Sequence, residues 1–254
     1  MADTAYKTFK AAFKRATYLY RMYHGLTNHR QRAMRADWAG NFCRVMHWSK
    51  GMASEIDRVD SPDAIVVLKE DSRLNREDFD REILSDMLRA SLVMGVSALD
   101  AYFHCKVIAH VVKAAKKGPR MPKALRNRAI TVAEFVEGKK YTYRMQTVRK
   151  ALERGLGYES LQRPDKIASA LSLIGVKDFW ANLADRMGVP QAELKKELLD
   201  LVRRRNWIAH EGDLSQSKSA RNRSRRIEPK EVRQGLGLIR RTVKRAEEEI
   251  NAQL

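Results

Sequence analysis

The chain has 254 residues, with 50 Lys+Arg against 31 Asp+Glu and a formal net charge of +19. That length buries a sizeable core in one or two domains, and the charge selects polyanionic partners: RNA, DNA or an acidic protein. No His/Cys/Asp cluster has metal-ligand spacing and no glycine-rich phosphate loop occurs, which disfavours metal- or nucleotide-dependent chemistry, so no cofactor and no metal site are expected.

Met1-Ala2-Asp3-Thr4 lacks the basic-then-apolar pattern of a signal peptide. Cys43 and Cys105, without CxxC spacing, read as small buried hydrophobes of a reducing compartment. Together these point to the cytoplasm. Tyr6, Phe9, Phe13, Tyr20 and Tyr23 recur at helical spacing from Thr4 to Gly25. Met34, Trp38, Phe42, Val45 and Met46 give an inward face to a second helix over roughly 29–51, joined to the first near Thr27-Asn28. Residues 1–80 are therefore expected to form a helical N-terminal extension, an αα-hairpin. Ser61-Pro62-Asp63 marks a turn, and the apolar run Ala64–Leu68 fits a strand or a helical turn equally well.

Asp78 opens a long central helix to about Ala115, stopped by Lys116-Lys117-Gly118-Pro119. The apolar run Leu92–Val112 contains Asp100, His104, Lys106 and His110, so it reads as a buried core helix and no membrane span. Lys113, Lys116, Lys117, Arg120, Lys123, Arg126 and Arg128 follow without an intervening acid. Shorter helices are predicted over 122–128, 131–137 and 142–152. Phe135, Tyr141, Tyr143 and Tyr158 lie in or near this basic region, as base-stacking surfaces or as core and rim residues. Pro164 opens a helix to Ile174, and 177–186 gives another ending at Gly188. The next helix runs from near Gln191, with Pro190 in its first turn, Glu193 and Glu197 at its positive end and Gly212 as its C-cap. A polar loop, 215–226, precedes a final amphipathic helix that starts at Glu228-Pro229 and uses Val232, Leu236, Ile239, Val243, Ala246 and Ile250.

The chemistry concentrates in Arg205-Asn206-Trp207-Ile208-Ala209-His210. A permanent cation, a neutral hydrogen-bonder and a group titrating near neutrality suit phosphodiester cleavage, in which a proton moves and charge builds on phosphorus oxygens. In a helix, Leu194, Leu198, Leu201, Arg205 and Ile208 share one stripe, so Arg205 stands where a leucine would be the plain choice. A charge in an apolar seam is costly unless paired or functional. Arg205 and His210 lie about 140° apart around the axis, whereas Asn206 and His210 are i,i+4 neighbours. Asp100, mid-way along an apolar helix, reads either as the partner that positions Arg205 or His210 or as half of a structural salt bridge. His104, one turn on, reads as a core histidine. Arg203 and Arg204 flank the motif as phosphate contacts or as a solvated face. Lys218, Arg221, Arg223, Arg225 and Arg226 form a loop that tracks an RNA backbone or simply solubilises.

The run Arg204-Arg205-Asn206-Trp207-Ile208-Ala209-His210-Glu211-Gly212 after a leucine-rich helix resembles the R-x4-6-H signature of the HEPN superfamily, and within it the RiboL-PSP-HEPN branch. Ser97-Ala98-Leu99-Asp100-Ala101-Tyr102-Phe103 resembles the small-residue and acidic pattern of that family's early core helix, and the likeness covers about 82–254. It implies an all-α, HEPN-like helical bundle over 81–254. It also implies a metal-independent endoribonuclease that leaves 2′,3′-cyclic phosphate and 5′-hydroxyl ends, with His210 moving the proton, Arg205 meeting the charge and Asn206 aligning. A homodimer with a composite cleft is implied too, as is the context of a toxin or anti-phage effector, with an inhibitor or sensor protein as a further partner. Family members modified on a tyrosine carry His-x-Tyr, but this chain has His210-Glu211-Gly212, which leaves that route without its tyrosine. The competing reading is a non-catalytic basic helical protein that binds RNA or acts as an adaptor.

Overall fold

The structure, a computed structural model, describes residues 4–27, 29–33, 41, 43–47, 53–59, 65–69, 73, 76–129, 144–214 and 224–254. It is predominantly helical. The element order is α1 (Thr4–Thr27), β1 (His29–Ala33), β2 (Ala53–Val59), β3 (Ile65–Lys69), α2 (Arg81–Ala115), a single turn α3 (Lys123–Arg126), α4 (Arg144–Gly157), α5 (Pro164–Ser172), α6 (Phe179–Met187), α7 (Gln191–Glu211) and α8 (Pro229–Gln253).

The 35-residue α2 is the spine, ~52 Å long at 1.5 Å per residue. Asp80 starts it by accepting a hydrogen bond from the Glu82 backbone N–H at 3.2 Å. Its interior has no proline, and Leu88, Leu92, Leu99, Phe103, Val107 and Val111 are fully enclosed. Among the described residues it is the helix long and apolar enough to cross a membrane, yet half of its apolar window is buried inside the fold. The helix α1 runs antiparallel to it: Phe9 meets Tyr102 edge-on at 6.1 Å, and the Ser91 hydroxyl donates to the Ala16 carbonyl at 2.8 Å. By contrast, α8 runs parallel, Leu236 lying against Gly95 while Glu247 takes hydrogen bonds from Tyr102 and Lys106. Glycine allows a close approach at two crossings. A Cβ on Gly95 would lie 2.6 Å from Leu236 Cδ2, and one on Gly235 2.6 Å from Leu201 Cδ2, so an alanine at either would oblige a leucine side chain to shift.

Lys106, fully buried, is tied to Glu247 at 2.9 Å and to Asn251 Oδ1 at 2.7 Å, which satisfies a charge that would otherwise be prohibitive in the core. Glu249, also buried, takes hydrogen bonds from Arg186, Asn182 and Gln253. Burial alone would raise its pKa, but these donors outweigh it and hold the carboxyl below its ordinary value.

The N-terminal eighty residues depart from the expected αα-hairpin. The segment after α1 begins as β1, not as a helix, and pairs antiparallel with β2 (His29 opposite Val59), which pairs antiparallel with β3 (Asp57 opposite Val66). Of the apolar run that fits a strand or a helical turn, residues 65–68 lie in the strand β3. Two residues expected to face inward, Val45 and Met46, are exposed at 73% and 47%, although Cys43 is buried. Met34, Trp38 and Phe42, like the helix expected over 131–137, lie outside the described residues. Nor is α1 an appendage. Ala5 and Phe9 belong to the same core cluster as α2 and α8, so the expected boundary at residue 80 does not separate two cores.

Candidate functional site

The motif occupies the last two turns of α7. Leu194, Leu198 and Val202 are buried, Leu201 and Ile208 partly so, and Gly212 closes the helix at φ 60°. Left-handed backbone there costs glycine nothing. Arg205 does sit on the apolar stripe: it is half-buried, and its Nε is enclosed without a hydrogen-bond partner. Its Nη1 donates to Asn206 Oδ1 at 3.0 Å, which fixes the guanidinium towards solvent at the edge of the seam. His210 is exposed in the last turn of the helix. None of the hydrogen bonds or ion pairs found among the described residues links it to Arg205. Within one chain the two side chains leave the helix on different faces.

On its exposed side α7 groups Arg203, Asn206, Trp207 and His210 within an arc of about 100°, Asn206 and Trp207 each lying three or four residues from both Arg203 and His210. Arg203 is 61% exposed and makes a loose ion pair with Asp200 at 3.4 Å. Trp207 is 38% exposed, with the Arg225 guanidinium carbon 4.1 Å from the centre of its indole.

Arg204 has a different role from the phosphate contact expected of it. It is buried, and its guanidinium donates to Asp213 Oδ1 and to the Arg226 carbonyl (3.1 Å), with Glu231 at 3.3 Å. Asp213 is fully enclosed and accepts from Arg89 as well, at 2.8 Å. Arg89 also donates to the Arg225 carbonyl at 2.8 Å. One carboxylate between two arginines, with both arginines also holding backbone carbonyls of 225 and 226, clamps the start of α8 to α2 and α7. Asp213 is at φ 57°, and its carbonyl accepts from Arg225 N at 2.7 Å; Leu214 and Ser224 form an isolated bridge beside it. Neither Arg89 nor Asp213 was anticipated from the sequence. The available signals were an arginine between the buried Leu88 and Leu92 and a carboxylate directly after a helix-terminating glycine.

The expected link from Asp100 to the motif is absent. Its carboxylate accepts from Leu161 N at 2.6 Å and Gln162 Nε2 at 3.3 Å and pairs with His104 at 3.4 Å. Asp100 therefore caps the loop before α5 and does not position Arg205 or His210. Burial pushes its pKa up, but the hydrogen bonds from His104, Leu161 and Gln162 together bring it below the ordinary value. His104 is this carboxylate's partner, one turn further along α2.

Of the loop cations, Arg225 stacks on Trp207 and Arg226 pairs with Glu228, while Lys218, Arg221 and Arg223 lie outside the described residues. So do Phe135, Tyr141 and Tyr143, whereas Tyr158 is 93% exposed. In the acid-free run, Lys113, Lys116, Lys117, Arg120, Lys123 and Arg126 are all exposed. They lie at the far end of α2, ~36 Å along the helix from Arg89 and the motif. A groove of about 990 Å³ between α1, α7 and α8 carries both signs of charge, Glu197, Asp200 and Glu231 with Arg233, Arg240 and Arg241. A second, of about 460 Å³, lies beside Arg89. Arg205, Asn206 and His210 line neither groove. Among the described residues no group of three His, Cys, Asp or Glu side chains is placed to hold a metal ion. Comparison of the chain with protein-family models, with curated proteins and with solved structures finds no match.

Proposed function

We propose that this protein is an endoribonuclease that needs no metal ion and acts through Arg205, Asn206 and His210. The observation that carries the reading is Arg205: a cation on the apolar stripe of α7, with Nε enclosed and unpartnered and Nη1 donating to the exposed Asn206, five residues before an exposed histidine. A structural role would have given it a carboxylate, as Arg204 and Arg89 have in Asp213. In the reaction the 2′-hydroxyl oxygen bonds to the adjacent phosphorus and the bond to the 5′-oxygen breaks. The products are a 2′,3′-cyclic phosphate and a 5′-hydroxyl. One proton leaves the 2′-hydroxyl and one reaches the departing 5′-oxygen. The imidazole of His210 exchanges protons at this centre, and the guanidinium of Arg205 receives the charge that develops on the non-bridging oxygens.

The resemblance to HEPN proteins supports a homodimer in which His210 of one chain faces Arg205 of the other, which accommodates their different faces on α7. The same resemblance supports a toxin or anti-phage role inside the cytoplasm, held in check by an inhibitor or sensor protein. The net charge of +19 supports a nucleic-acid substrate.

The test is incubation of the full-length protein with mixed RNA in excess EDTA, followed by end-group analysis. Cyclic-phosphate and 5′-hydroxyl ends are expected. His210→Ala, on an exposed side chain, keeps its circular-dichroism spectrum and loses activity by about 10²-fold or more. Cleavage that EDTA abolishes and Mg²⁺ restores, or full activity in His210→Ala, would refute the mechanism.

A further inference from the structure

We infer that Trp207 and Arg225 form a stacking subsite for a nucleobase of single-stranded RNA, next to the phosphodiester handled by His210. This rests on the ribonuclease reading and adds a substrate contact to it. Trp207 is one turn from His210 and shares its exposed face, so a base resting on the indole places its own phosphate within reach of the imidazole. Trp207 leaves 38% of its surface open to a ligand on that face.

The platform is built in advance. Arg225 is held at both backbone ends, its N–H donating to the Asp213 carbonyl at 2.7 Å and its own carbonyl accepting from Arg89 at 2.8 Å. Its guanidinium lies 4.1 Å from the indole centroid with Nη1 enclosed and unpartnered, and Glu211 stands only at 4.0 Å from Nη2. The stack therefore forgoes a hydrogen bond to keep a flat cation over one face of the indole, and a base would meet the part of the ring that stays open. Bases stack on both indoles and guanidinium planes, and neither requires a particular sequence. The cation next to the ring favours an anionic polymer over an apolar peptide.

The probe is a short fluorescein-labelled single-stranded RNA, with an abasic strand of the same length as its control. Both are titrated by anisotropy into full-length protein carrying His210→Ala, so that the RNA stays intact. In that background Trp207→Leu is expected to weaken RNA binding about ten-fold or more, whereas Trp207→Phe, which keeps a π face, stays within about three-fold. Affinity for the abasic strand should change with neither. Were the pair only a fastening for the loop, Trp207→Leu would lower the unfolding midpoint and leave affinity for RNA and abasic strand alike; unchanged RNA affinity in a folded Trp207→Leu protein overturns the subsite. If Trp207→Leu does not fold, the unsubstituted indole decides: equal affinity for RNA and abasic strand overturns the subsite, and a clear preference for RNA that Trp207→Phe retains supports it. Failure of the His210→Ala protein to bind either strand removes the ribonuclease reading itself and the subsite with it.

Discussion

Replacing Asp213 by asparagine tests whether the buried ion cluster organises the end of α7. Asparagine keeps the shape and one acceptor oxygen, and it tolerates the left-handed backbone at φ 57°. The substitution therefore removes the charge and turns one of the two acceptor oxygens into a donor facing an arginine, with the shape kept. Asp213 is fully enclosed and both arginine side chains are 10% exposed, so solvent screens the cluster little. Removing one partner of a buried pair costs about 3–5 kcal/mol, because the remaining charge stays desolvated. Here each arginine keeps a weaker partner at the surface: Arg204 has Glu231 at 3.3 Å (42% exposed) and Arg89 has Asp86 at 3.1 Å (80% exposed). That places the expected loss near the lower end, about 3 kcal/mol, or roughly 10 °C in Tm for a chain of this size. Urea unfolding followed by circular dichroism measures it as a lower midpoint at unchanged slope. A loss below about 0.5 kcal/mol, the range of ordinary surface changes, would refute the claim that the carboxylate holds α2, α7 and the start of α8 together.

Three further outcomes are expected. Mixing Arg205→Ala with His210→Ala chains should restore part of the cleavage activity if the site is shared across a two-fold axis, because each mixed dimer then holds one intact pair; heterodimers verified by tagged pull-down and still inactive would rule out a shared site. Asp100→Asn should destabilise the fold at neutral pH and flatten its acid limb. The folded carboxyl is held below its ordinary value, so its stabilisation is complete above about pH 4 and lost as pH falls through the folded value; a variant with the acid limb of the parent contradicts this. RNA affinity should fall by several log units per log unit of salt, given the exposed cations from Lys113 to Arg126. A flat salt response would direct the charge towards an acidic protein partner instead.

The sequence made the helices legible because their signals are local. Pro164, Pro190, Gly188 and Gly212 sit within one residue of the observed helix ends, and the anomaly at Arg205 follows from counting around one helix. What escaped is what needs a partner far along the chain. Arg204 differs from Arg203 only by the 100° that turns it inward, and its carboxylate lies beyond the glycine that ends the helix, in a turn no period describes. Asp100 stands out in the sequence as an acid mid-way along an apolar helix, but its donors, Leu161 and Gln162, belong to a loop sixty residues on. The strand β1, His-Arg-Gln-Arg-Ala, carries little β propensity of its own. Its pairing is with β2, which the β-branched run of β3 covers on the other side.

The fastening of 213, 225 and 226 separates evolvability from stability at this end of the molecule. The two stems of the 215–223 segment meet at the Leu214–Ser224 bridge and are anchored below it by Asp213, Arg89 and Arg204. Closing a longer segment over fixed stems costs only ~0.6 kcal/mol for each doubling of its length. A change in the number of residues between the stems therefore costs little chain entropy, while the carboxylate and the two arginines that anchor 213, 225 and 226 stay in place.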